Sequence, residues 1–208
     1  HQEGDVIHGV DGKGHLLECS ILEADPAATI VRVEEIVQHQ PYPACRLELI
    51  VAPTKQMNRI EWMVEKCTEI GIRKISFLLT RYGERPRISK RERLERKMLS
   101  AMKQSRRLWL PELEGMRSLQ DVLEEVEDHN GITLVASSER ESPRLGSALD
   151  TKMPTRIIVG PEGGFHDDEL EQFDEYELQS VNLGPSILRT ETAGVYLSSI
   201  WSYLMLEE

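Results

Sequence analysis

The chain has 208 residues, of which 39% are hydrophobic and 29% are charged, and its formal net charge is -11 at pH 7. This composition is typical of a globular protein, and the absence of repeats and low-complexity tracts excludes collagen-like, mucin-like and disordered chains. The apolar runs are too short to cross a bilayer and the three cysteines are widely spaced, so we expect a cytoplasmic protein without a membrane anchor, a disulfide framework or a bound metal.

Short alternating segments separated by turns occupy residues 3–39. The alternation of Ile30, Val31, Val33 and Ile36 with polar residues predicts half-buried strands of a small β-barrel or sheet. The sequence begins at His1 without a recognisable signal peptide, and we expect that the N-terminal part of this first domain precedes it. The Pro-Tyr-Pro segment at 41–43 predicts an extended hinge. The expected domains are therefore residues 1–40 and residues 44–208.

After the hinge, short apolar runs alternate with segments of helical periodicity. Strands are predicted at residues 47–51, 75–79, 132–136, 157–159 and 181–183. Helices are predicted at residues 60–70, 89–109, 118–127 and 191–206, and a further one begins near residue 166. Strands that alternate with helices in this way predict an α/β fold with a mostly parallel sheet.

Basic residues are concentrated between residues 81 and 107. This segment has eleven Lys or Arg against three Glu, a local charge of about +8 that leaves about -19 for the rest of the chain. Such a run is usually the solvated face of a helix, but in an acidic protein it also fits a docking surface for a polyanion such as nucleic acid. The distribution alone leaves both interpretations open.

Several common catalytic motifs are absent. The chain has no G-x-G-x-x-G after a strand, no Walker A loop, no G-x-S-x-G and no H-E-x-x-H. A Rossmann dehydrogenase, a P-loop NTPase, an α/β-hydrolase and a zincin are therefore excluded. His166 and the three acidic residues after it point in different directions around a helix, and they predict a capped helix start in place of a metal site.

Two Gly- and Pro-containing loops follow predicted strands and precede helices. The first is Gly-Pro-Glu-Gly-Gly-Phe at 160–165, and the second spans residues 183–193. Ligands of open α/β sheets bind at the carboxyl ends of the strands, so these loops are candidate binding loops, although the first one also fits a plain glycine-rich turn. The spacing of Arg189 and Glu191 allows either a structural ion pair or contacts with a ligand.

Four motifs together resemble one protein family. They are Lys55 with Arg59 and the Glu-Lys-Cys-Thr-Glu-Ile-Gly helix at 65–71, Gln-Ser-Arg at 104–106 with Pro111, Gly-Pro-Glu-Gly-Gly at 160–164, and Leu183-Gly184 with Ile-Leu-Arg-Thr-Glu-Thr-Ala at 187–193. Their types and order are similar to those of the RsmE family of ribosomal RNA methyltransferases. The resemblance covers about residues 50–195.

This resemblance implies a SPOUT-type parallel sheet with a C-terminal trefoil knot, preceded by a PUA-like β-barrel that binds RNA. It also implies a homodimer that uses S-adenosylmethionine to methylate N3 of a uridine in 16S ribosomal RNA of the small ribosomal subunit. Two alternatives remain. One is a methyltransferase of the same fold that acts on transfer RNA, and the other is a non-catalytic RNA-binding module.

On the basis of this resemblance we hypothesise roles for individual residues. The expected cofactor-binding residues are Leu134, Gly160, Pro161, Glu162, Gly163, Leu183, Gly184, Ile187, Leu188 and Thr192. The expected catalytic residues are Arg189, which would stabilise negative charge on the uracil ring, and Glu191. The expected RNA-binding residues are Arg85, Lys103, Gln104, Arg106 and Arg107, mainly through phosphate contacts.

Overall fold

A computed structural model describes residues 1–43, 46–83, 91–137 and 142–206, and it contains two sheets. The strands are β1 (Val6–Val10), β2 (His15–Glu23), β3 (Ile30–His39), β4 (Leu47–Val51), β5 (Lys74–Leu79), β6 (Glu112–Ser118), β7 (Ile132–Ser137), β8 (Thr155–Val159) and β9 (Gln179–Asn182). The helices are α1 (Met57–Ile70), α2 (Arg91–Gln104), α3 (Leu119–Glu124), α4 (Leu145–Ala148), α5 (Asp167–Glu175) and α6 (Thr190–Leu204).

The larger sheet is parallel and has the strand order β6-β5-β4-β8-β7-β9. All five residues of the central strand β4 are buried, as expected for a strand covered on both faces. Helices α1, α2 and α6 pack one apolar cluster against one face, and α3 and α5 cover the other face. The predicted α/β fold with a parallel sheet is confirmed. Among the described residues, no helix is both long and apolar enough to span a membrane.

The N-terminal strands form an antiparallel sheet in the order β1-β2-β3. The predicted strands are confirmed, but the prediction that the third is half-buried is wrong. All ten residues of β3 are exposed, including Ile30, Val31, Val33 and Ile36. Strand β3 lies at an edge of the sheet, whose buried side chains, such as Cys19 and Ile21, come from the central strand β2. The alternation of apolar and polar residues predicted the strand correctly, but it did not predict how much of each side chain is buried.

The N-terminal sheet joins the parallel sheet around the ring of Trp109. The indole Nε1 donates to the carbonyl of Gln40 at 3.0 Å, and the Gly14 amide donates to the carbonyl of Leu108 at 2.9 Å. The guanidinium of Arg73 lies 4.5 Å from the Trp109 ring centroid and 4.4 Å from that of Tyr42, a double cation–π contact. These contacts lie at the end of the parallel sheet where β5 and β6 begin.

Replacing Gly14 by alanine is expected to loosen this junction. Gly14 has a φ of 98°, and a Cβ there would lie 2.4 Å from the Gln40 carbonyl oxygen and 2.8 Å from the Trp109 ring. The left-handed backbone and the overlap should together lower the free energy of unfolding by about 2–4 kcal/mol. Thermal melts monitored by circular dichroism measure the change. Gly115→Ala, where a Cβ meets nothing within 4 Å, is the matched control. Equal melting temperatures for the two variants would contradict the prediction.

Several predicted elements differ from the structure. The helix predicted to run to about residue 109 ends at Gln104, because Arg106 adopts a left-handed φ of 56°. Strand β6 was not predicted, since its sequence Glu-Leu-Glu-Gly-Met-Arg-Ser has weak apolar alternation. The last strand is β9 at 179–182, so residue 183 belongs to the following loop. The helix predicted at 118–127 is α3, which begins with a capping box of Ser118 and Asp121 and ends at Glu124.

Candidate active site

A cleft of about 630 Å³ lies at the carboxyl ends of β7, β8 and β9. This is where ligands of open α/β sheets bind, and the volume suits a small organic molecule. The lining residues are Val135, Ala136, Ser137, Val159, Gly160, Pro161, Glu162, Gly164, Phe165, Leu170, Phe173, Asp174, Ser180, Leu183, Gly184, Pro185, Ser186, Ile187, Leu188, Thr190 and Ala193.

The two predicted loops form facing walls of this cleft. The first follows β8, and the second connects β9 to α6. They are tied together where the hydroxyl of Thr190 donates to the carbonyl of Gly160 at 2.9 Å. In the second loop, Gly184 has a φ of 129°, which favours glycine, and its amide donates to the side chain of Asn182 at 2.7 Å. The loops are therefore held by specific hydrogen bonds and not only by packing.

Helix α5 forms a third wall, and its N-terminus is capped as predicted. The carboxylate of Glu169 accepts the His166 amide at 2.8 Å, which completes a capping box. The same buried carboxylate accepts the Arg81 amide at 2.8 Å. The Arg81 guanidinium also pairs with Asp168, so the segment after β5 is fastened to the first turn of α5. The N-terminus of α5 is thus already occupied by acidic side chains.

Seven of the ten predicted cofactor-binding residues line the cleft. They are Gly160, Pro161, Glu162, Leu183, Gly184, Ile187 and Leu188. The other three do not line it. Leu134 lies inside β7 with a side chain fully buried in the core, and Thr192 lies on an exposed face of α6. Gly163 faces Tyr82, outside the cleft. Strand β7 continues beyond Leu134 to Ser137, so Leu134 packs in the core and does not reach the carboxyl end of the strand.

Neither predicted catalytic residue is among the residues that line the cleft. Arg189 is the N-cap of α6 and is exposed between two lining residues, and its side chain contacts no partner among the described residues. Glu191 is buried and faces Arg59 of α1, with 3.6 Å between its Oε1 and the guanidinium Nε. Another nitrogen of the Arg59 guanidinium, Nη1, lies 2.8 Å from Oε1 of Glu162. The arginine partner of Glu191 is thus Arg59 and not Arg189.

The cleft is acidic. Among the described residues, its lining includes the carboxylates of Asp174 and of Glu162, which is paired with Arg59, and no Lys or Arg. Such a site attracts a cationic ligand and repels phosphate groups. In the part of the chain that the structure describes, no group of three or more His, Cys, Asp or Glu side chains is arranged to hold a metal ion.

The sequence did not predict that residues of α5 and β9 form part of the cleft wall. Phe165 packs edge to face on Phe173 with ring centroids 4.9 Å apart, and both rings line the cleft. Asp174 and Ser180 add polar groups to the same wall. Phe173 lies in the amphipathic helix α5, and Phe165 lies in the loop before it. Aromatic residues with this spacing predict core packing as readily as a ligand-binding site.

Four of the five predicted RNA-binding residues lie within the described residues, at the opposite end of the sheet from the cleft. Helix α2 ends with Lys103 and Gln104, and Arg106 follows it. These residues precede β6, whose first residue pairs with the first residue of β5. The cleft lies beyond the last residues of the parallel strands, so the two regions are separated by about 20 Å, the length of a six-residue strand. Arg85 lies outside the described residues. Within one chain, these residues and the cleft therefore do not form one continuous site.

Ion pairs neutralise much of the basic run. Of its eight described members, four pair with carboxylates, as in Arg91 with Glu95 at 2.7 Å and Lys97 with Glu65 at 3.1 Å. The guanidinium of Arg107 donates to carbonyls at the C-terminus of α1, one of them at 2.8 Å, and this contact was not predicted. Lys103 and Arg106 have no side-chain partner among the described residues. An RNA contact by these residues stays a prediction.

The family model for an RNA methyltransferase domain matches residues 40–202. Among curated proteins, ribosomal RNA small subunit methyltransferase E of Rickettsia conorii is 36% identical over 170 residues, which cover 79% of this chain and 67% of that protein. The protein of the same name from Synechocystis is 31% identical over 196 residues, covering 92% and 64%. The chain thus spans about two thirds of the length of these relatives.

Solved structures agree with these matches. A probable rRNA methyltransferase from Porphyromonas gingivalis aligns with a TM-score of 0.90 and 33% identity, over 99% of this chain and 87% of that one. Ribosomal RNA small subunit methyltransferase E from Neisseria gonorrhoeae, bound to S-adenosyl methionine, aligns with a TM-score of 0.81 and 26% identity, over 98% and 84%.

Proposed function

The chain belongs to the RNA methyltransferase family that includes ribosomal RNA small subunit methyltransferase E, and we propose that it methylates N3 of a uridine in 16S ribosomal RNA, with S-adenosylmethionine as the methyl donor. The observation that carries this proposal is the acidic cleft at the carboxyl ends of β7, β8 and β9, walled by the two loops of the family motifs. A place of action in the cytoplasm, on the assembled small subunit, is part of the same proposal.

The residues of the cleft fit this methyl donor. Its volume of about 630 Å³ is within the usual range for small-molecule sites. The apolar side chains of Val135, Leu183 and Leu188 suit a purine, while Glu162 and Asp174 suit the positive charge of a sulfonium and an ammonium group. The glycine-containing loops let backbone groups approach a flat ring closely.

When bound, S-adenosylmethionine supplies an electrophilic methyl group. The main work of the chain is then to hold the uracil N3 in line with that group and to exclude water. Uracil N3 must lose its proton before or during the transfer, which places negative charge on the ring oxygens. We assign the donation to one of these oxygens to Arg189, and its exposed position between the lining residues Leu188 and Thr190 supports this role. Solvent accepts the proton in this scheme.

We assign RNA binding to cations outside the cleft. Lys103 and Arg106 would contact phosphates, which gives affinity that falls with salt but little sequence specificity. The target base would be recognised by its shape and by extrusion into the cleft. Residues 1–40 have eight Asp or Glu against two Lys or Arg, so this part of the first domain would add few phosphate contacts.

The proposal includes the finer features of the family. A trefoil knot is supported by the chain path, since α6 returns from the edge strand β9 to pack on α1 and β4. A homodimer is supported by exposed aromatic rings on the packed pair of α1 and α6, namely Trp62, Tyr196 and Tyr203. A PUA-like domain is supported by the antiparallel N-terminal sheet.

The first test is calorimetric titration of the chain with S-adenosylhomocysteine, which requires no RNA. We expect saturable binding with a micromolar dissociation constant, about -8 kcal/mol. Methyl transfer is then measured on small ribosomal subunits and on transfer RNA. Transfer to transfer RNA alone would favour the alternative substrate. Absence of cofactor binding by the folded protein would contradict the proposal and favour an RNA-binding module.

A further inference from the structure

Arg59 forms ion pairs both with Glu162, which lines the cleft, and with the buried Glu191. Its guanidinium lies 2.8 Å from the Glu162 carboxylate through Nη1 and 3.6 Å from the Glu191 carboxylate through Nε. Glu162 belongs to the loop after β8, whereas Glu191 belongs to the first turn of α6. Arg59 itself belongs to the first turn of α1 and does not line the cleft. Arg59 therefore contacts both the loop after β8 and the start of α6 without lining the cleft itself.

The two carboxylates differ in their surroundings. The Glu162 side chain is 58% exposed, but the Glu191 side chain is 8% exposed, and its Oε2 has no hydrogen-bond partner among the described residues. A buried carboxylate is costly without a nearby positive charge, and breaking a buried ion pair is strongly destabilising. In the described part of the chain, Arg59 supplies the cation within 4 Å of Glu191. The buried charge of Glu191 thus holds the arginine in place.

We propose that Arg59 is a positioning residue that clamps the Gly160–Glu162 segment to the start of α6 and so sets the shape of the cleft for the methyl donor. This inference rests on the proposed function, because it takes the cleft to be the cofactor site. The clamp acts beside the hydrogen bond from Thr190 to Gly160, so the loop is held to α6 at two points. Glu191 acts through Arg59, which accounts for a buried carboxylate that does not line the cleft.

Three variants test the clamp. Glu162→Gln removes its exposed end and leaves the buried pair of Arg59 with Glu191 intact, so the fold is preserved. Arg59→Met removes the clamp, and Arg59→Lys keeps the charge. The matched control is Arg93→Met, since Arg93 lies 2.7 Å from Glu61, whose side chain is also 8% exposed but lies away from the cleft. The control reproduces the loss of a buried ion pair without affecting the loop.

We expect Arg59→Met and Glu162→Gln to weaken S-adenosylhomocysteine binding about tenfold and to raise the KM for the methyl donor without raising the KM for RNA. Arg59→Lys should recover part of the affinity, and Arg93→Met should bind like the unmodified protein. The double variant of Arg59 and Glu162 should be no weaker than Arg59→Met alone, because both changes remove one contact. Hydrogen exchange of the amides of residues 160–164 should become faster in both single variants.

The results of these experiments test the role of Arg59 and the proposed function separately. If the unmodified protein binds S-adenosylhomocysteine and the variants bind equally well, the clamp is wrong and the proposed function stands. If the unmodified protein does not bind it, the proposed function fails, and hydrogen exchange decides about the clamp alone. Faster exchange at residues 160–164 would then support it, and unchanged exchange would overturn it. A loss of affinity in Arg93→Met as large as that in Arg59→Met would also overturn it.

Discussion

Replacing Arg189 by alanine is expected to lower the turnover number for RNA methylation about 100- to 1,000-fold, the usual effect of removing one donor from a developing negative charge. Arg189 is exposed at the start of α6 and forms no hydrogen bond or ion pair with a described side chain, so its loss should leave the fold unchanged. It is also not among the residues that line the cleft, so the affinity for S-adenosylhomocysteine should stay the same. Single-turnover methylation and calorimetry measure the two quantities separately.

The variant Arg189→Lys is the control for charge. Lysine keeps a positive charge but loses the planar fork of donors, and it should restore only part of the rate. A parallel loss of RNA affinity, measured by filter binding, would place Arg189 in RNA docking and not in the chemical step. An unchanged turnover number in Arg189→Ala would remove this residue from the mechanism.

Replacing Ser180 by tryptophan is expected to weaken S-adenosylhomocysteine binding at least about 100-fold, which corresponds to nearly 3 kcal/mol. Ser180 is half-buried on β9 and lines the cleft, so an indole ring there would occupy volume that the purine requires. The side chain at this position faces the cleft and not the packed core, so the fold should tolerate the larger ring. Calorimetric titration measures the affinity.

The neighbouring residue provides the matched control. Gln179 is exposed on the same strand, and consecutive residues of a strand point to opposite faces of the sheet. Gln179→Trp therefore introduces the same ring without filling the cleft, and it should bind S-adenosylhomocysteine like the unmodified protein. Equal affinities for the two tryptophan variants would show that the cofactor binds elsewhere.

The sequence predicted the parallel sheet well because its central strands are short continuous apolar runs. The run Leu47–Val51 became the fully buried strand β4, and the glycine at 71 became the left-handed C-cap of α1 with a φ of 103°. Strand β6 was missed because Glu112, Glu114 and Arg117 interrupt its apolar pattern. Two of these side chains are neutralised by ion pairs with each other and with neighbours, which no local pattern reveals.

The candidate site was predicted only in part, because only some of its residues belong to a local sequence pattern. The loops with Gly160 and Gly184 carry local signals, namely glycine and proline after an apolar run, and both line the cleft. Leu134 does not line the cleft because it lies inside β7 and packs in the core, and a short apolar run does not show which of its side chains face a ligand. The contacts of Arg59 join residues that are 103 and 132 positions apart, so only the folded chain brings them together.

The position of β8 in the sheet has a consequence for synthesis on the ribosome. Strands β4, β5 and β6 are complete once residue 118 has emerged, but β8 pairs with the second edge of β4 only after residue 159. At a synthesis rate of about 5–20 residues per second, this edge of β4 stays open for several seconds. An open edge with buried apolar residues is a template for association with other chains. We therefore expect this edge of β4 to be exposed to other chains until β8 has been synthesised.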